Sequence, residues 1–294
     1  MKKSNFICMY FILLSVIILP LSSCQNESSV TTQRDKTETV AVEKLKNDLE
    51  NFNVEYVMKY QDTRKFPPAW LRKTISAIVD IGAFIYTRSI TDATAASAMI
   101  NDGLNKDREV MIGKDKIAGD STTTEIGMDY NEDALSGIEP GTVGYTHNKV
   151  IISSYRKADI EGKNGKHSDF NEIVATEVEM ETGQKPTNVG YEIAQETLNE
   201  IRNSPNKDIA ISIFFNKLKS KTDDAQTKDA LDVCSTVLEG LRCVDNNDTS
   251  YIATVKNKIE TAEIPQELKT RMLDGINLSD ASMKLWNPEK KKKP

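Results

Sequence analysis

Apolar residues recur at helical spacing in one segment of this chain after another, and this periodicity limits the fold more than any other feature. In the first quarter of the chain, Val42, Leu45, Leu49 and Phe52 lie three or four positions apart. That spacing places all four side chains on one face of an α-helix. The opposite face is rich in charged and amide residues, so the segment predicts an amphipathic helix.

Helix-capping residues open several of the later segments. Thr142 and Thr187 carry hydroxyls that can accept from free backbone N–H groups, and Asp169 with Glu172 forms a capping-box pair. Pro265 suits the start of a last helix. No segment shows strand alternation bounded by hairpin turns. We therefore predict an all-α fold, a multi-helix bundle of about eight helices.

The longest helical candidate runs from Trp70 to about Leu104 and is rich in Ile and Ala. Asp80, Arg88 and Asp92 interrupt it. Three charges within such a segment argue against a membrane span, which needs about 20 predominantly apolar residues.

One long irregular loop is predicted at about 105–141, where Gly, Asp and Thr accumulate. A loop of that length is either functional or disordered. Asp129, Asn131 and Asp133 in it have the spacing that opens a calcium loop, but Ala134 follows where the turn needs Gly. Loop chemistry explains these residues, and we predict no metal site and no cofactor.

The domain organisation follows from these segments. Residues 39–289 form one helical domain, or two subdomains divided near 105–141, and residues 290–294 form a basic tail. The formal net charge of −6 offers no net positive field to attract phosphate, so we expect no nucleic acid partner.

The first two dozen residues contain the one strongly apolar run. Lys2 and Lys3 give a positive start, and an apolar stretch from Phe6 to Leu21 follows. This stretch has the length of a signal-peptide core and falls short of the roughly 20 residues that cross a bilayer. We interpret residues 1–23 as a cleaved signal peptide.

The segment Leu21-Ser22-Ser23-Cys24 resembles the lipobox of bacterial lipoproteins. The resemblance implies that a diacylglycerol is attached to the thiol of Cys24, that a peptidase cuts before this residue, and that the new amino terminus is acylated. Residues 24–38 then become a flexible tether on a membrane. Because Gln25 replaces the Asp that retains some lipoproteins at the inner membrane, the outer membrane of the bacterial envelope is favoured.

Two cysteines remain after processing, Cys234 and Cys243. On one continuous helix, nine residues would separate them by about 13 Å, which is too far for a disulfide. Gly240 can end the helix and let the chain turn back. A disulfide between Cys234 and Cys243 and two partly buried thiols are both compatible with the sequence.

His147 and Asn148 are the candidate site residues. On a helix starting at Thr142, His147 shares a face with Val150 and Ile151. A histidine in this position is most often a hydrogen-bonded core residue, and a catalytic or ligand-binding role is the alternative. His167 follows a glycine loop, and the two histidines lack the spacing of a zinc site.

Scattered residues along the chain also resemble those of uncharacterised secreted helical proteins of bacteria. They are Trp70, Val143-Gly144-x-x-His147-Asn148 and Ser279-x-x-Ser282-x-x-x-Trp286. The resemblance supplies no activity, and it implies that His147 and Asn148 serve the shared fold.

Three functional hypotheses follow. The first is a non-enzymatic, membrane-anchored envelope lipoprotein that binds an unknown protein or envelope partner or has a structural role. The second is a membrane-active, bacteriocin-like protein acting through the Ala-rich helix 70–104. The third is a hydrolase built around His147 with acids from the 105–141 loop.

Overall fold

Ten helices account for nearly all of the chain that the structure, a computed structural model, describes: residues 37–56 and 58, 68–115, 130–166, 168–203, 207–241 and 250–286. The helices are α1 (37–56), α2 (Pro68–Thr87), α3 (Ile90–Asp115), α4 (Val143–Lys163), α5 (Phe170–Thr182), α6 (Asn188–Asn203), α7 (Lys207–Ser220), α8 (Ala225–Leu241), α9 (Ser250–Thr261) and α10 (Gln266–Leu285). No strand occurs within these ranges, and the all-α prediction is confirmed.

The predicted capping residues begin their helices as expected. The hydroxyl oxygen of Thr142 accepts from the backbone N–H of Tyr145 at 3.3 Å, and that of Thr187 accepts from Val189 N–H at 3.2 Å. Asp169 caps α5 by accepting from Asn171 N–H at 2.9 Å. Each cap satisfies a donor that the helix itself leaves unpaired, which fixes where the helix starts.

The predicted helix 70–104 is two helices rather than one. Arg88 has φ 55°, a left-handed conformation, and its N–H donates to Phe84 O at 2.8 Å, which ends α2. The hydroxyl oxygen of Ser89 then accepts from Asp92 N–H at 3.2 Å and opens α3. The sequence signal for this break is the Ser-x-x-Asp spacing after Arg88, which the long Ile/Ala pattern masked.

The irregular segment starts later than predicted, because α3 continues to Asp115. Lys, Arg, Glu and Met, which are good helix formers, populate residues 105–115 and sustain the helix. Residues 116–129 lie outside the described part, and residues 130–142 form turns without a helix.

The hairpin formed by α2 and α3 lies at the centre of the bundle. Every residue from 75 to 85 and from 91 to 98 is buried. Residues 86–90, which form the turn between the two helices, are partly or fully exposed. α6 and α5 pack on α3, while α8 and α10 pack on α2, and α4 packs against α10. Burial of these two helices explains why Ile and Ala dominate the segment, with a few buried polar side chains among them.

The buried apolar side chains fall into two clusters. The larger joins α1, α2, α3 and α6–α10. The smaller, around Ile151, Tyr155 and Trp286, lies between α4, α5, the carboxyl end of α10 and the turns at 130–135. The predicted division into two subdomains stays a prediction.

Within the described ranges, no helix is long and apolar enough to cross a membrane. Residues 1–36, which include the predicted signal peptide and Cys24, lie outside those ranges, as does the basic tail 290–294.

Candidate functional site

The inward face of α4 places His147 against the central hairpin. Gly144 lies one turn earlier on this face, and a Cβ there would approach Ala281 Cβ to 2.7 Å and Asn277 O to 3.0 Å. The absence of a side chain at Gly144 therefore lets α4 and α10 pack closely. This close packing encloses His147, whose side chain is fully buried.

Asn148 determines which nitrogen of the His147 imidazole carries a proton. Its amide nitrogen donates to Ala281 O at 2.9 Å and to Ala134 O at 3.3 Å, so its Oδ1 is left to face His147. The distance from this oxygen to His147 Nδ1 is 2.8 Å. Because Oδ1 can only accept, Nδ1 carries the proton, and the second ring nitrogen, Nε2, is the one that can gain or lose a proton.

Asp80 of α2 faces that second nitrogen. His147 Nε2 lies 3.4 Å from Asp80 Oδ2, and both side chains are fully enclosed. The distance of 3.4 Å is that of an ion-pair contact, and neither atom has a hydrogen-bond partner among the described residues. Burial lowers the pKa of His147, but the negative charge of Asp80, together with the hydrogen bond to Asn148, outweighs burial, so the pKa is raised above its ordinary value.

Three further polar side chains of the central hairpin, Ser76, Ser97 and Asn101, are joined by hydrogen bonds. Together with Asp80 and His147 they form what we call the polar seam. The hydroxyl of Ser76 donates to Asn101 Oδ1 at 3.0 Å across the hairpin, and Asn101 Nδ2 donates to Ser97 O at 2.9 Å. Because α2 and α3 are antiparallel and both pairs are spaced four residues apart, Asp80 lies level with Ser97.

Several buried oxygens on α2, α3 and α10 have no hydrogen-bond partner among the described residues. They are the two carboxylate oxygens of Asp80 and the hydroxyl oxygens of Thr94, Ser97, Ser279 and Ser282. Buried polar groups without partners cost stability, so the interior here is held by helix packing and not by a saturated hydrogen-bond network.

The geometry limits what His147 can do chemically. Asn148 occupies one ring nitrogen and Asp80 faces the other, so neither nitrogen is directed at a site where a substrate could bind. A general base needs a ring nitrogen within reach of the proton that it removes. The pair therefore acts as an internal contact between α2 and α4.

The sequence places His147 on an apolar helix face with Asn148 beside it, and both are buried in the structure, but the sequence does not identify Asp80 as the partner of His147. Among the described residues, the acid that faces His147 is Asp80 of α2 rather than one from the 130–141 part of the predicted loop. Asp133 of that loop is exposed, and its N–H donates to Asn131 Oδ1 at 3.0 Å in a local turn. A charged residue inside an Ile- and Ala-rich run was the available signal for Asp80.

Asp92, a second charged residue in the Ile- and Ala-rich segment, is also nearly fully buried, and it contacts the start of α6. Its carboxylate accepts from Thr187 N–H at 2.6 Å and from the Thr187 hydroxyl at 3.0 Å, at the amino terminus of α6. A negative charge there is stabilised by the helix dipole. Gly190 completes the contact, because a Cβ on it would lie 2.5 Å from Asp92 O.

The remaining predicted site residues are either buried or outside the described ranges. Cys234 lies in α8 with its side chain fully buried, and burial raises the pKa of its thiol to about 12. Cys243, Cys24 and His167 lie outside the described residues. The disulfide between Cys234 and Cys243 therefore stays a prediction.

The described ranges contain no group of three or more His, Cys, Asp or Glu side chains placed to hold a metal ion. Comparisons of this chain with protein families, with curated proteins and with solved structures gave no match.

Proposed function

We propose that this protein is a lipid-anchored protein of the bacterial cell envelope whose helical domain binds a partner or has a structural role rather than catalysing a reaction. The anchor rests on the lipobox Leu21-Ser22-Ser23-Cys24. Two or three acyl chains, with about 0.8 kcal/mol contributed per buried methylene, hold a protein on a bilayer for long times. Gln25 after the lipid-bearing residue favours the outer membrane.

The observation that carries the non-catalytic part is the enclosure of His147. Its side chain is fully buried, Asn148 engages Nδ1 at 2.8 Å, and Asp80 faces Nε2 at 3.4 Å. An active-site histidine needs at least one nitrogen directed at substrate. The formal charge of −6 further favours a protein or envelope partner over nucleic acid.

Metabolic labelling with a palmitate analogue tests the anchor. We expect the wild-type chain to be labelled and processed, and Cys24→Ser to lose the label and accumulate as the uncleaved precursor. Cys8→Ser is the matched control, because Cys8 lies within the predicted signal peptide and is removed with it. Labelling that persists in Cys24→Ser would rule out this anchor.

A hydrolase is the alternative to this proposal, because a carboxylate beside an imidazole, as in the contact between Asp80 and His147, also occurs in acyl-transfer sites. The two candidates differ in turnover. We expect ester, amide and glycoside substrates to be hydrolysed at background rates by the wild type and by His147→Gln alike. Turnover that disappears in a folded His147→Gln variant would favour the hydrolase.

A further inference from the structure

Three helix termini define one end of the bundle. Arg88, directly after α2, lies 3.0 Å from Asp224, which precedes α8, and 3.3 Å from Glu267 in the first turn of α10. The amino termini of α8 and α10 therefore lie together at the carboxyl end of α2. We call this end of the bundle the Arg88 end.

The helix nearest to the predicted lipid anchor begins at the Arg88 end. Gln226, the second residue of α8, donates from its Nε2 to Glu38 Oε1 in the first turn of α1 at 2.9 Å. Further along both helices, Asn53 Nδ2 donates to Thr236 O at 2.6 Å, so α1 and α8 run parallel. The segment that joins Cys24 to the domain therefore enters the bundle at the Arg88 end.

The last helix, α10, ends at the opposite end of the bundle. It begins beside Arg88, and a Cβ on Gly275 further along would lie 3.0 Å from Ile81, so α10 runs antiparallel to α2. Its 20 residues rise about 30 Å. Trp286, which follows α10, therefore lies about 30 Å from the Arg88 end.

A run of four lysines, Lys290–Lys293, begins three residues beyond Trp286. Covalent geometry keeps Lys290 within about 14 Å of Trp286. The formal net charge of the chain is −6 and the four lysines contribute +4 to it, so the other residues together carry −10. The chain thus carries its lipid signal before one end of an acidic bundle and a basic run after the other.

We propose that the run Lys290–Lys293 binds the phosphate groups of an anionic lipid bilayer opposite the bilayer that holds the lipid anchor, so that the domain bridges two membrane surfaces. The bridge rests on the proposed lipidation of Cys24. Anionic headgroups repel the acidic remainder of the chain and attract the lysines, which favours an approach through the run.

The bundle sets the distance that such a bridge can span. It separates the two attachments by about 30 Å. The segment 25–36 extends at most about 43 Å, and Lys290 lies within about 14 Å of Trp286, so surfaces up to roughly 90 Å apart can be joined.

A single run binds weakly, and the anchor compensates for this. Four lysines near an anionic bilayer give a dissociation constant of about 1 mM. Lipid-anchored copies share one surface, so many runs engage the opposite bilayer together. Such multivalency raises the affinity by about 10²–10⁴-fold over that of one run.

Two exposed acids compete for the run at the same end of the bundle. Glu132 and Asp133 directly follow Asn131, whose N–H donates to Leu285 O at 2.7 Å. An exposed ion pair contributes little, because water and salt screen both charges. A bilayer offers many phosphate groups to all four lysines at once, so the bilayer prevails over these two acids.

Lipidated full-length protein in vesicles of neutral phosphatidylcholine tests the bridge. Flotation of the protein with these vesicles reports the anchor. Capture of fluorescent vesicles, made of phosphatidylcholine and phosphatidylglycerol in equal parts, reports the run. We expect both, with gaps of about 30–90 Å between the two vesicle surfaces in electron cryomicroscopy. Flotation without capture would overturn the bridge and leave the anchor standing, whereas absence of flotation would refute the anchor and the bridge with it.

Two variants of equal net charge assign capture to the run. The combination of Lys290→Gln, Lys291→Gln, Lys292→Gln and Lys293→Gln should float normally and lower capture at least about tenfold. The matched control removes four lysines from the amino-terminal halves of α1, α8 and α10, through Lys44→Gln, Lys46→Gln, Lys228→Gln and Lys269→Gln. It should capture nearly as well as the wild type. Equal loss of capture in both variants would refute the assignment to the run.

Phosphatidylglycerol in the anchoring vesicles as well separates bridging from folding back. We expect capture to persist, because the bundle holds the run farther from the Arg88 end than the Debye length of about 10 Å at 0.1 M salt. Loss of capture would show that the run binds the bilayer that holds the anchor, and it would overturn the bridge.

Discussion

The Nε2 atom of His147 on α4 lies 3.4 Å from Oδ2 of Asp80 on α2, and neither side chain has any exposure to solvent. Enclosed ion pairs contribute little net stability when intact, since burial of both charges opposes their attraction. Loss of one partner is costly, because the other charge is left without compensation. The pair therefore makes α2 and α4 strongly dependent on each other.

Removing His147 and removing Asp80 should both destabilise the bundle, and the loss of His147 should cost more. We expect His147→Gln to lower the free energy of unfolding by about 3–5 kcal/mol, because a carboxylate stays enclosed without a cation. Asp80→Asn should cost less, about 1–3 kcal/mol, because an imidazole can remain neutral. Urea denaturation followed by circular dichroism gives both values.

The double variant and a surface pair provide the controls. The loss in the double variant should be smaller than the sum of the two single losses, which demonstrates coupling. Asp159→Asn removes an exposed pair in which Lys163 Nζ lies 2.6 Å from Asp159 Oδ2, and it should leave the unfolding midpoint unchanged. Additive losses for Asp80→Asn and His147→Gln would contradict a direct contact.

The raised pKa of His147 predicts a pH dependence of stability. A folded-state pKa above the unfolded value of 6.5 gives a contribution that is fully present below pH 6.5 and is lost as the pH rises through the folded value. We therefore expect this contribution to unfolding free energy to decline above pH 6.5. In Asp80→Asn the main cause of the raised pKa is gone, so the decline should be absent there. Denaturation curves at a series of pH values decide this.

Gly190 should tolerate no side chain, because a Cβ there would lie 2.5 Å from Asp92 O. Gly190→Ala pushes α6 away from α3, and we expect a loss of about 1–3 kcal/mol in unfolding free energy. Gly162 on α4 is the matched control, since nothing lies within 4 Å of a Cβ there. Gly162→Ala should stabilise the protein by up to about 1 kcal/mol through helix propensity. Similar effects of the two substitutions would argue against the close approach.

At position 88, glycine should give a more stable protein than alanine, which is the reverse of the usual order within helices. Its φ of 55° disfavours any residue with a side chain. Alanine and glycine both remove the exposed ion pairs to Asp224 and Glu267, at 3.0 Å and 3.3 Å, so the two variants differ chiefly in backbone strain. We expect Arg88→Gly to be more stable than Arg88→Ala by about 1 kcal/mol in thermal unfolding. A more stable Arg88→Ala would contradict the left-handed conformation.

The thiol of Cys234 should be unreactive in the native, reduced protein. Its side chain is fully buried and its thiol pKa is about 12, so the thiolate is scarce at pH 8. We expect a maleimide to modify it only after denaturation. Rapid modification of Cys234 in the native state would show that this part of α8 opens. The intact mass before and after reduction decides separately whether it is joined to Cys243.

Local patterns were sufficient for the helical class and the helix caps, but not for every helix boundary or for the partners of the buried charges. The caps at Thr142 and Asp169 act through atoms two or three residues away, so the sequence alone contains the whole interaction. Asp80 and His147 are 67 positions apart, and their contact depends on how α2 and α4 pack. Periodicity identifies which face is inward, and it does not identify what lies across from it.

The sequence by itself determined the helical class and the helix caps, because these depend on short-range spacing, and the lipidation of Cys24 stays a prediction. The tertiary structure decided what the three charges in the Ile- and Ala-rich run do. Asp80 contacts His147, Arg88 ends α2, and Asp92 holds the start of α6. In the sequence they only excluded a membrane span. The roles of Asp80 and Asp92 required the packing of distant helices around the central hairpin, since a buried charge is tolerated only where the fold supplies its partner, whereas Arg88 is exposed and acts locally.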